Sequence, residues 1–236
     1  MKKKVRQVII SAVIIFLCIF TLSFNVYSKE LSWSWVFRER RHSVVINISE
    51  STYEEFVKKP RCSYICELQS AIQSEPVIAN IANQLREKAE ENGYDNSPKV
   101  FAEFIASFGQ SIAQRTYYNY LNANHVDWYP LYATQLLGRL LFAKNGTGLC
   151  ADFSILTDAL LFLNGFHRSG LVEIDSKDHM AIVVDLPGVV CHGAYINGRI
   201  WCFIDSTGLD NFDLYNGAPP GTPVKVYLPF KKDIGQ

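Results

Sequence analysis

The segment from Asn145 to Gly165 constrains the fold of this chain most strongly. It begins with a glycine-rich loop, reaches Cys150, and continues as a helix pattern from Ala151 to Asn164 that is apolar on nearly every face. The glycine that follows the pattern stands at the usual position of a helix C-terminal glycine. A helix without a polar face must be buried on all sides, so we expect the other elements to pack around it.

Cys150 lies at the predicted N-terminus of this helix, where the partial positive charge of the helix end stabilises a thiolate. Gly146 and Gly148 let the loop approach a ligand closely and leave backbone amide groups free to point at a developing oxyanion. A lone cysteine in an apolar segment, however, is most often a small buried hydrophobic residue. A catalytic role therefore depends on a base and an orienting group elsewhere in the chain.

Two later motifs contain residues of these two types. His179 begins an apolar, β-branched run, and Asp205 follows a second one. Asn197-Gly198 precedes the second run and predicts a two-residue hairpin turn, which makes the strands on either side antiparallel neighbours. If the His179 strand joins the same sheet, the thiol, imidazole and carboxylate form the nucleophile, base and orienting group of a cysteine enzyme.

Three motifs, Gly-x-Cys150-x-Asp before an apolar helix, His179-Met-Ala, and Asp205-Ser-Thr, resemble those of the transglutaminase-like superfamily, in particular its bacterial and archaeal members. The resemblance covers roughly residues 75–207. It implies an α+β, papain-like fold in which a central Cys-bearing helix packs on an antiparallel sheet. It also implies that Cys150, His179 and Asp205 form a catalytic triad, with Gln110 as a candidate oxyanion donor.

The resemblance implies an enzyme that acts on peptide or amide bonds through a thioester on Cys150, more often a hydrolase than a crosslinking acyl transferase. Both reactions share every step up to the thioester, so the sequence does not choose between them. A catalytically silent module that binds a peptide is a third alternative, because a fold does not imply a function.

Leu149 and Ala151 stand where many relatives have acidic residues, which makes the surroundings of the cysteine less negative. For Gln110, pairing with backbone near the end of its helix is the alternative to an oxyanion role.

Cys191 and His192 repeat the two residue types of the proposed catalytic pair. Neighbouring residues on a strand point to opposite faces of the sheet, so these two cannot act together as nucleophile and base. We therefore predict that both are strand residues outside the catalytic group.

The N-terminus predicts a membrane anchor. A basic tip over residues 1–7 precedes an uncharged apolar run over residues 8–26, and at about 1.5 Å per residue that run spans roughly 30 Å, the thickness of a bilayer core. The positive flank predicts a cytoplasmic N-terminus and a single-pass protein of the cell membrane with its catalytic domain outside. A signal peptide cleaved near Ser28, which leaves a secreted protein, is the alternative. Trp33 and Trp35 fit either the membrane interface or the folded domain.

We expect a linker and N-terminal extension over residues 27–74 and the catalytic domain over residues 75–236. Cys62 and Cys66 are close enough in sequence to be either bridged or free. No zinc-site spacing and no calcium loop is visible, so we expect neither a metal nor another cofactor. Because the formal net charge is zero, we expect no nucleic-acid partner; the expected partners are a peptide or protein substrate and the membrane.

Proline and glycine predict further element boundaries. Pro76 begins one helix that Gly93 ends, and Pro98 begins the next. Near the end of the chain, Val224 to Leu228 reads as a last strand that completes the sheet.

Overall fold

The computed structural model describes residues 27–120, 130–143, 148–174, 179–191, 193–208 and 224–230. This part of the chain combines helices and strands, in agreement with the α+β prediction. Its first half runs through a hairpin and five helices: β1 (Ser28–Phe37), β2 (Arg40–Ser49), α1 (Glu50–Lys58), α2 (Tyr64–Gln73), α3 (Pro76–Asn92), α4 (Pro98–Tyr120) and α5 (Ala133–Phe142). Its second half contains one helix and five strands: α6 (Cys150–Leu163), β3 (Ser169–Ile174), β4 (His179–Val184), β5 (Gly193–Ile196), β6 (Arg199–Ile204) and β7 (Lys225–Tyr227).

The five C-terminal strands form an antiparallel sheet in the order β5-β6-β4-β3-β7. Ile182 of β4 lies opposite Leu171 of β3 on one side and opposite Ile204 of β6 on the other. The predicted turn joins β5 to β6, and its two residues, Asn197 and Gly198, have φ of 48° and 79°. Positive φ at both positions is what a type I′ turn requires. At the opposite edge of the sheet, β7 pairs with β3 and completes the sheet, as predicted for the last strand.

Helix α6 is the centre of the fold. Helices α2, α3, α4 and α5 contact it, and β3 and β4 contact it from the sheet. Side chains along its length are fully buried, among them Phe153, Leu156 and Leu160 at 0% exposed. The helix begins at Cys150 and ends at Leu163, one residue earlier at each end than predicted. An apolar helix surrounded by other elements is what its pattern predicted.

The N-terminal hairpin shares this core. Trp33, Trp35 and Phe37 of β1 are at most 5% exposed and belong to the same hydrophobic cluster as the residues of α6. Trp35 donates a hydrogen bond from Nε1 to Oγ of Ser107 on α4 at 2.9 Å. The two tryptophans therefore lie in the folded domain, and the segment over residues 27–74 contributes two strands and two helices to the core that the later residues complete.

Two disulfides are present in the described residues. Cys62 pairs with Cys66, across the start of α2, which settles the alternative that the sequence left open. Cys191 pairs with Cys202, across the β5–β6 hairpin. This second bridge was not predicted, and the prediction that Cys191 is a strand residue was wrong, because Cys191 lies two residues before the start of β5.

None of the helices in the described ranges is both long and apolar enough to cross a bilayer. The predicted basic tip and the predicted anchor over residues 8–26 lie outside those ranges.

Candidate active site

Cys150 is the first residue of α6 and is partly exposed. It is the free cysteine of the described chain, since the other four described cysteines are in disulfides. Because the first amide groups of a helix have no partner within the helix, the thiol lies beside backbone donors and the positive end of the helix dipole. This position suits a thiolate and an oxyanion formed next to it.

Asp152 holds the backbone on which Cys150 is mounted. One carboxylate oxygen accepts from the backbone N–H of Leu149 at 2.7 Å, and the other accepts from the N–H of Leu131, ahead of α5, at 2.6 Å. Burial raises the pKa of Asp152 to about 6, although these two N–H groups and more distant arginines oppose the rise. The carboxyl group therefore ties the helix N-terminus to a neighbouring segment, which is the structural role that its first-turn position predicted.

Gly148 allows the loop before the cysteine to lie close to the core. A Cβ atom at this position would lie 2.7 Å from Cδ1 of Leu136 and 2.9 Å from Cζ of Phe153. Contacts this short are absent from real structures, so a larger residue would push the loop and Cys150 away from α5.

The sheet brings His179 and Asp205 to the same edge. His179 is the first residue of β4, and Asp205 follows the last residue of β6. The two strands are antiparallel neighbours, with Ile182 opposite Ile204, so the start of one lies beside the end of the other. Nε2 of His179 lies 3.1 Å from Oδ2 of Asp205, and the same imidazole also forms a hydrogen bond with Cys150.

The carboxylate of Asp205 is held from a second direction by Thr207. Both the backbone N–H and the hydroxyl of Thr207 donate to Oδ1 at 2.8 Å, which leaves Oδ2 for the imidazole. Thr207 is the last residue of the Asp205-Ser-Thr motif, and no role was predicted for it from the sequence. A threonine two residues after an aspartate is the local signal for such a turn.

Gln110, on α4, reaches the same place from the helical side. Its Nε2 donates to the backbone carbonyl oxygen of Asp205 at 2.7 Å, and the residue is 3% exposed. This hydrogen bond holds the backbone of Asp205 in place. A bond from Gln110 to a backbone group is similar to the alternative to an oxyanion role, although this carbonyl is not near the end of α4. The oxyanion assignment of Gln110 stays a prediction.

The electrostatics favour a charged imidazole. Burial opposes a charge on His179, but hydrogen bonds to Asp205 and Cys150 and their negative charges outweigh it and raise the pKa of His179 to about 10. Burial likewise acts to raise the pKa of Asp205, yet its bonds to His179 and Thr207 lower it below the usual value. An imidazolium between a carboxylate and a sulfur atom is the charge state that this arrangement stabilises.

Tyr64 lies near the Cys150 thiol, and no role was predicted for this tyrosine from the sequence. It is the first residue of α2, it is partly buried, and its ring lies 5.9 Å from that of Tyr227. Burial and nearby negative charges, Cys150 among them, raise the pKa of its hydroxyl. Because Tyr64 lies between the bridged Cys62 and Cys66, the disulfide holds the turn that carries it.

No group of three or more His, Cys, Asp or Glu side chains in the described ranges is arranged to hold a metal ion. Cys191 is bonded to Cys202, so its sulfur is not a free thiol, and its neighbour His192 is outside the described residues.

A known protein family matches part of this chain. Residues 78–191 match the sequence profile of a family described as a transglutaminase-like domain. The chain contains a transglutaminase-like domain. The match confirms the resemblance to the transglutaminase-like superfamily, and the matched range of this domain includes Cys150 and His179 but ends before Asp205. Neither a curated protein nor a solved structure matches the chain.

Proposed function

We propose that this protein is a cysteine enzyme that acts on amide bonds of peptide or protein substrates through a thioester on Cys150. The continuous contact from the Cys150 thiol through the imidazole of His179 to the carboxylate of Asp205 supports this proposal most directly. The cysteine stands at a helix N-terminus, the histidine binds it, and the aspartate orients the histidine. These are the nucleophile, the base and the orienting group that thioester chemistry needs.

The reaction proceeds in two halves. His179 takes the proton of Cys150, and the thiolate attacks the carbonyl carbon of the amide. Backbone N–H groups at the start of α6 stabilise the oxyanion. The imidazolium then donates its proton to the leaving amine as the C–N bond breaks, which leaves a thioester. In the second half His179 takes a proton from water, the hydroxide attacks the thioester, and the carboxylic acid leaves as the thiol regains its proton.

Hydrolysis is the outcome we favour, because the resemblance points to prokaryotic relatives that are more often hydrolases than crosslinking enzymes. Acyl transfer differs only in the second half, where a primary amine replaces water. A peptide substrate incubated with and without a labelled primary amine separates the two outcomes. Release of free acid at the same rate in both samples supports hydrolysis, whereas incorporation of the label into the product establishes transfer.

We also propose that residues 8–26 anchor the protein in the cell membrane, with the N-terminus in the cytoplasm and the folded domain outside. The Cys62–Cys66 and Cys191–Cys202 disulfides support this location, since disulfides persist in oxidising compartments. Protease digestion of intact cells, followed by detection of the domain, tests the topology. N-terminal sequencing of the released protein identifies the alternative, cleavage near Ser28.

The first test of catalysis is the rate at which iodoacetamide alkylates Cys150 as a function of pH. An unperturbed thiol, with a pKa of about 8.5, is less than about 1% ionised at pH 6. We expect fast alkylation already at that pH, because the imidazolium of His179 pairs with the thiolate. His179→Ala should slow the reaction at pH 6 at least about tenfold, since a charge pair of this kind contributes more than about 1.4 kcal/mol.

His167→Ala is the matched control, because this histidine is exposed and lies outside the catalytic group. It should leave the alkylation profile unchanged. A wild-type cysteine that reacts only above about pH 8, or a His179→Ala variant that reacts as fast as the wild type, would show that no thiolate–imidazolium pair exists.

A further inference from the structure

A cavity of about 330 Å³ lies at the edge of the N-terminal hairpin and contains none of the proposed catalytic residues. In the described residues β1 pairs with β2 alone, and α4 contacts β1. Three residues of β1, one of β2 and three of α4 line the cavity: Ser34, Trp35, Val36, Arg41, Ser111, Gln114 and Arg115. The volume is at the lower end of the range for small-molecule sites, about 300–1,000 Å³.

The charge of this cavity has one sign. Its described lining contains two arginines and no carboxylate, and neither Arg41 nor Arg115 forms an ion pair within the described chain. Arginines elsewhere in the same structure do have acidic partners: Arg38 pairs with Glu103, and Arg168 with Asp185. Two cations that face one cavity without a counter-ion repel each other, and an anion placed between them would remove that repulsion.

Arg115 is held in place before any ligand binds. Its guanidinium carbon lies 4.3 Å from the centre of the Trp33 ring, and Nη2 donates to the backbone carbonyl of Ser34 at 2.6 Å. The bond to Ser34 uses an N–H group on Nη2, and the other N–H groups of the planar guanidinium remain for a carboxylate or phosphate oxygen. A side chain fixed in this way loses little conformational freedom when a ligand binds.

Arg41 reaches the cavity from the neighbouring strand, where it lies opposite Val36 in the β1–β2 register. Its side chain is exposed and has no hydrogen-bond partner among the described residues. Val36 and Trp35 add an apolar part to the lining, and the hydroxyl-bearing Ser34 and Ser111 add a polar part. The combination suits a ligand that has an anionic group and a small apolar portion.

We propose that this cavity is a binding site for a small oxyanion, a carboxylate or a phosphate group, held between Arg41 and Arg115. The site is independent of the catalytic chemistry proposed above, because none of its residues takes part in that chemistry. A phosphate group can be free or can belong to a membrane lipid, so the experiment includes both sources.

Isothermal titration calorimetry of the purified protein at low ionic strength tests the proposal, with inorganic phosphate and succinate as probes. A sedimentation assay with phosphatidylglycerol vesicles, against phosphatidylcholine vesicles, tests the lipid source. Arg41→Gln should weaken binding at least about tenfold, because a charge-assisted hydrogen bond contributes about 1.5–3 kcal/mol. Arg115→Gln should weaken it as much, and a thermal unfolding curve shows whether that variant still folds.

Arg40→Gln is the control variant. Arg40 precedes Arg41 on the same strand and carries the same charge, but it bonds to Asn92 and does not line the cavity. Saturable binding that Arg41→Gln weakens and Arg40→Gln preserves supports the site, and the probe that binds identifies the source. The proposal is wrong if no probe binds in a saturable manner, or if Arg40→Gln weakens binding as much as Arg41→Gln does.

Discussion

Gly109 lies where α4 contacts α6, one residue before the glutamine that reaches Asp205. A Cβ atom at this position would lie 2.0 Å from Oγ1 of Thr157 and 3.3 Å from its Cβ. Thr157 is 0% exposed and belongs to the central helix, so it has no open space to move into. We predict that Gly109→Ala destabilises the protein.

Two opposing effects determine the size of the change. In the interior of a helix, replacing glycine with alanine stabilises by about 0.5–1 kcal/mol when nothing is in the way. Inserting a methyl group into a close-packed core costs about 1–3 kcal/mol. A contact of 2.0 Å cannot be relieved by a shift of a few tenths of an ångström, so the steric cost lies at the upper end. The net effect is a loss of about 2–2.5 kcal/mol, or about 4–10 °C in Tm for a domain of this size.

Urea unfolding followed by circular dichroism measures the change, in combination with substitutions at Thr157. Thr157→Ala removes the hydroxyl oxygen and leaves only the 3.3 Å contact, so it should cancel most of the loss caused by Gly109→Ala. Thr157→Val keeps an atom of similar size in place of a hydroxyl that has no hydrogen-bond partner in the described residues, and should preserve the loss. Stabilisation by Gly109→Ala alone, or a loss that Thr157→Ala does not relieve, would refute the steric argument.

Three further predictions concern the site, a disulfide and a buried acid. Thr207→Val removes one of the two Thr207 hydrogen bonds that lower the pKa of Asp205, so this pKa should rise by up to about one unit in an NMR titration; an unchanged pKa contradicts this role of the hydroxyl. Replacing both Cys191 and Cys202 with Ala removes a disulfide of sequence separation 11, so the free energy of unfolding measured in urea should fall by about 3 kcal/mol. Equal stability with and without the disulfide would contradict a stabilising role for it. Burial raises the pKa of Asp158 to about 7, above the value of about 4 in the unfolded chain. The contribution of Asp158 to the free energy of unfolding is therefore fully present below about pH 4 and is lost as the pH rises to about 7. Asp158→Asn should therefore be more stable than the wild type by over about 1 kcal/mol at pH 8, with no such gain at pH 4; parallel stability curves would overturn this explanation.

Helix ends and the hairpin turn were predictable from sequence because their signals are local. Pro76 and Gly93 bound α3 as predicted, and Gly93 has the positive φ of 69° that its position after the helix requires. Asn197-Gly198 forms the predicted turn, which sets the pairing of β5 with β6. A few neighbouring residues determine such features, and no distant contact has to be known.

Several contacts at the candidate site were not predictable in the same way. Gln110 and Asp205 are 95 residues apart in the chain, and nothing in either segment indicates that an amide on a helix binds that particular carbonyl group. The position of Tyr64 beside Cys150 likewise depends on how α2 packs against α6. The bridge between Cys191 and Cys202 depends on the packing of the residues just before β5, since Gly193 is the residue paired with Cys202 in the sheet.

The sequence by itself determined which residues form each element and which residue types the chemistry requires. Hydrophobic period, helix caps and turn residues act over a few positions, and a thiol, an imidazole and a carboxylate can be identified in the chain before it folds. Only the tertiary structure decided that His179 lies 3.1 Å from Asp205, that Thr207 and Gln110 hold that aspartate, and that two arginines without acidic partners face one cavity. These relations depend on the packing of helices and strands that are distant in sequence, and packing is a property of the whole core.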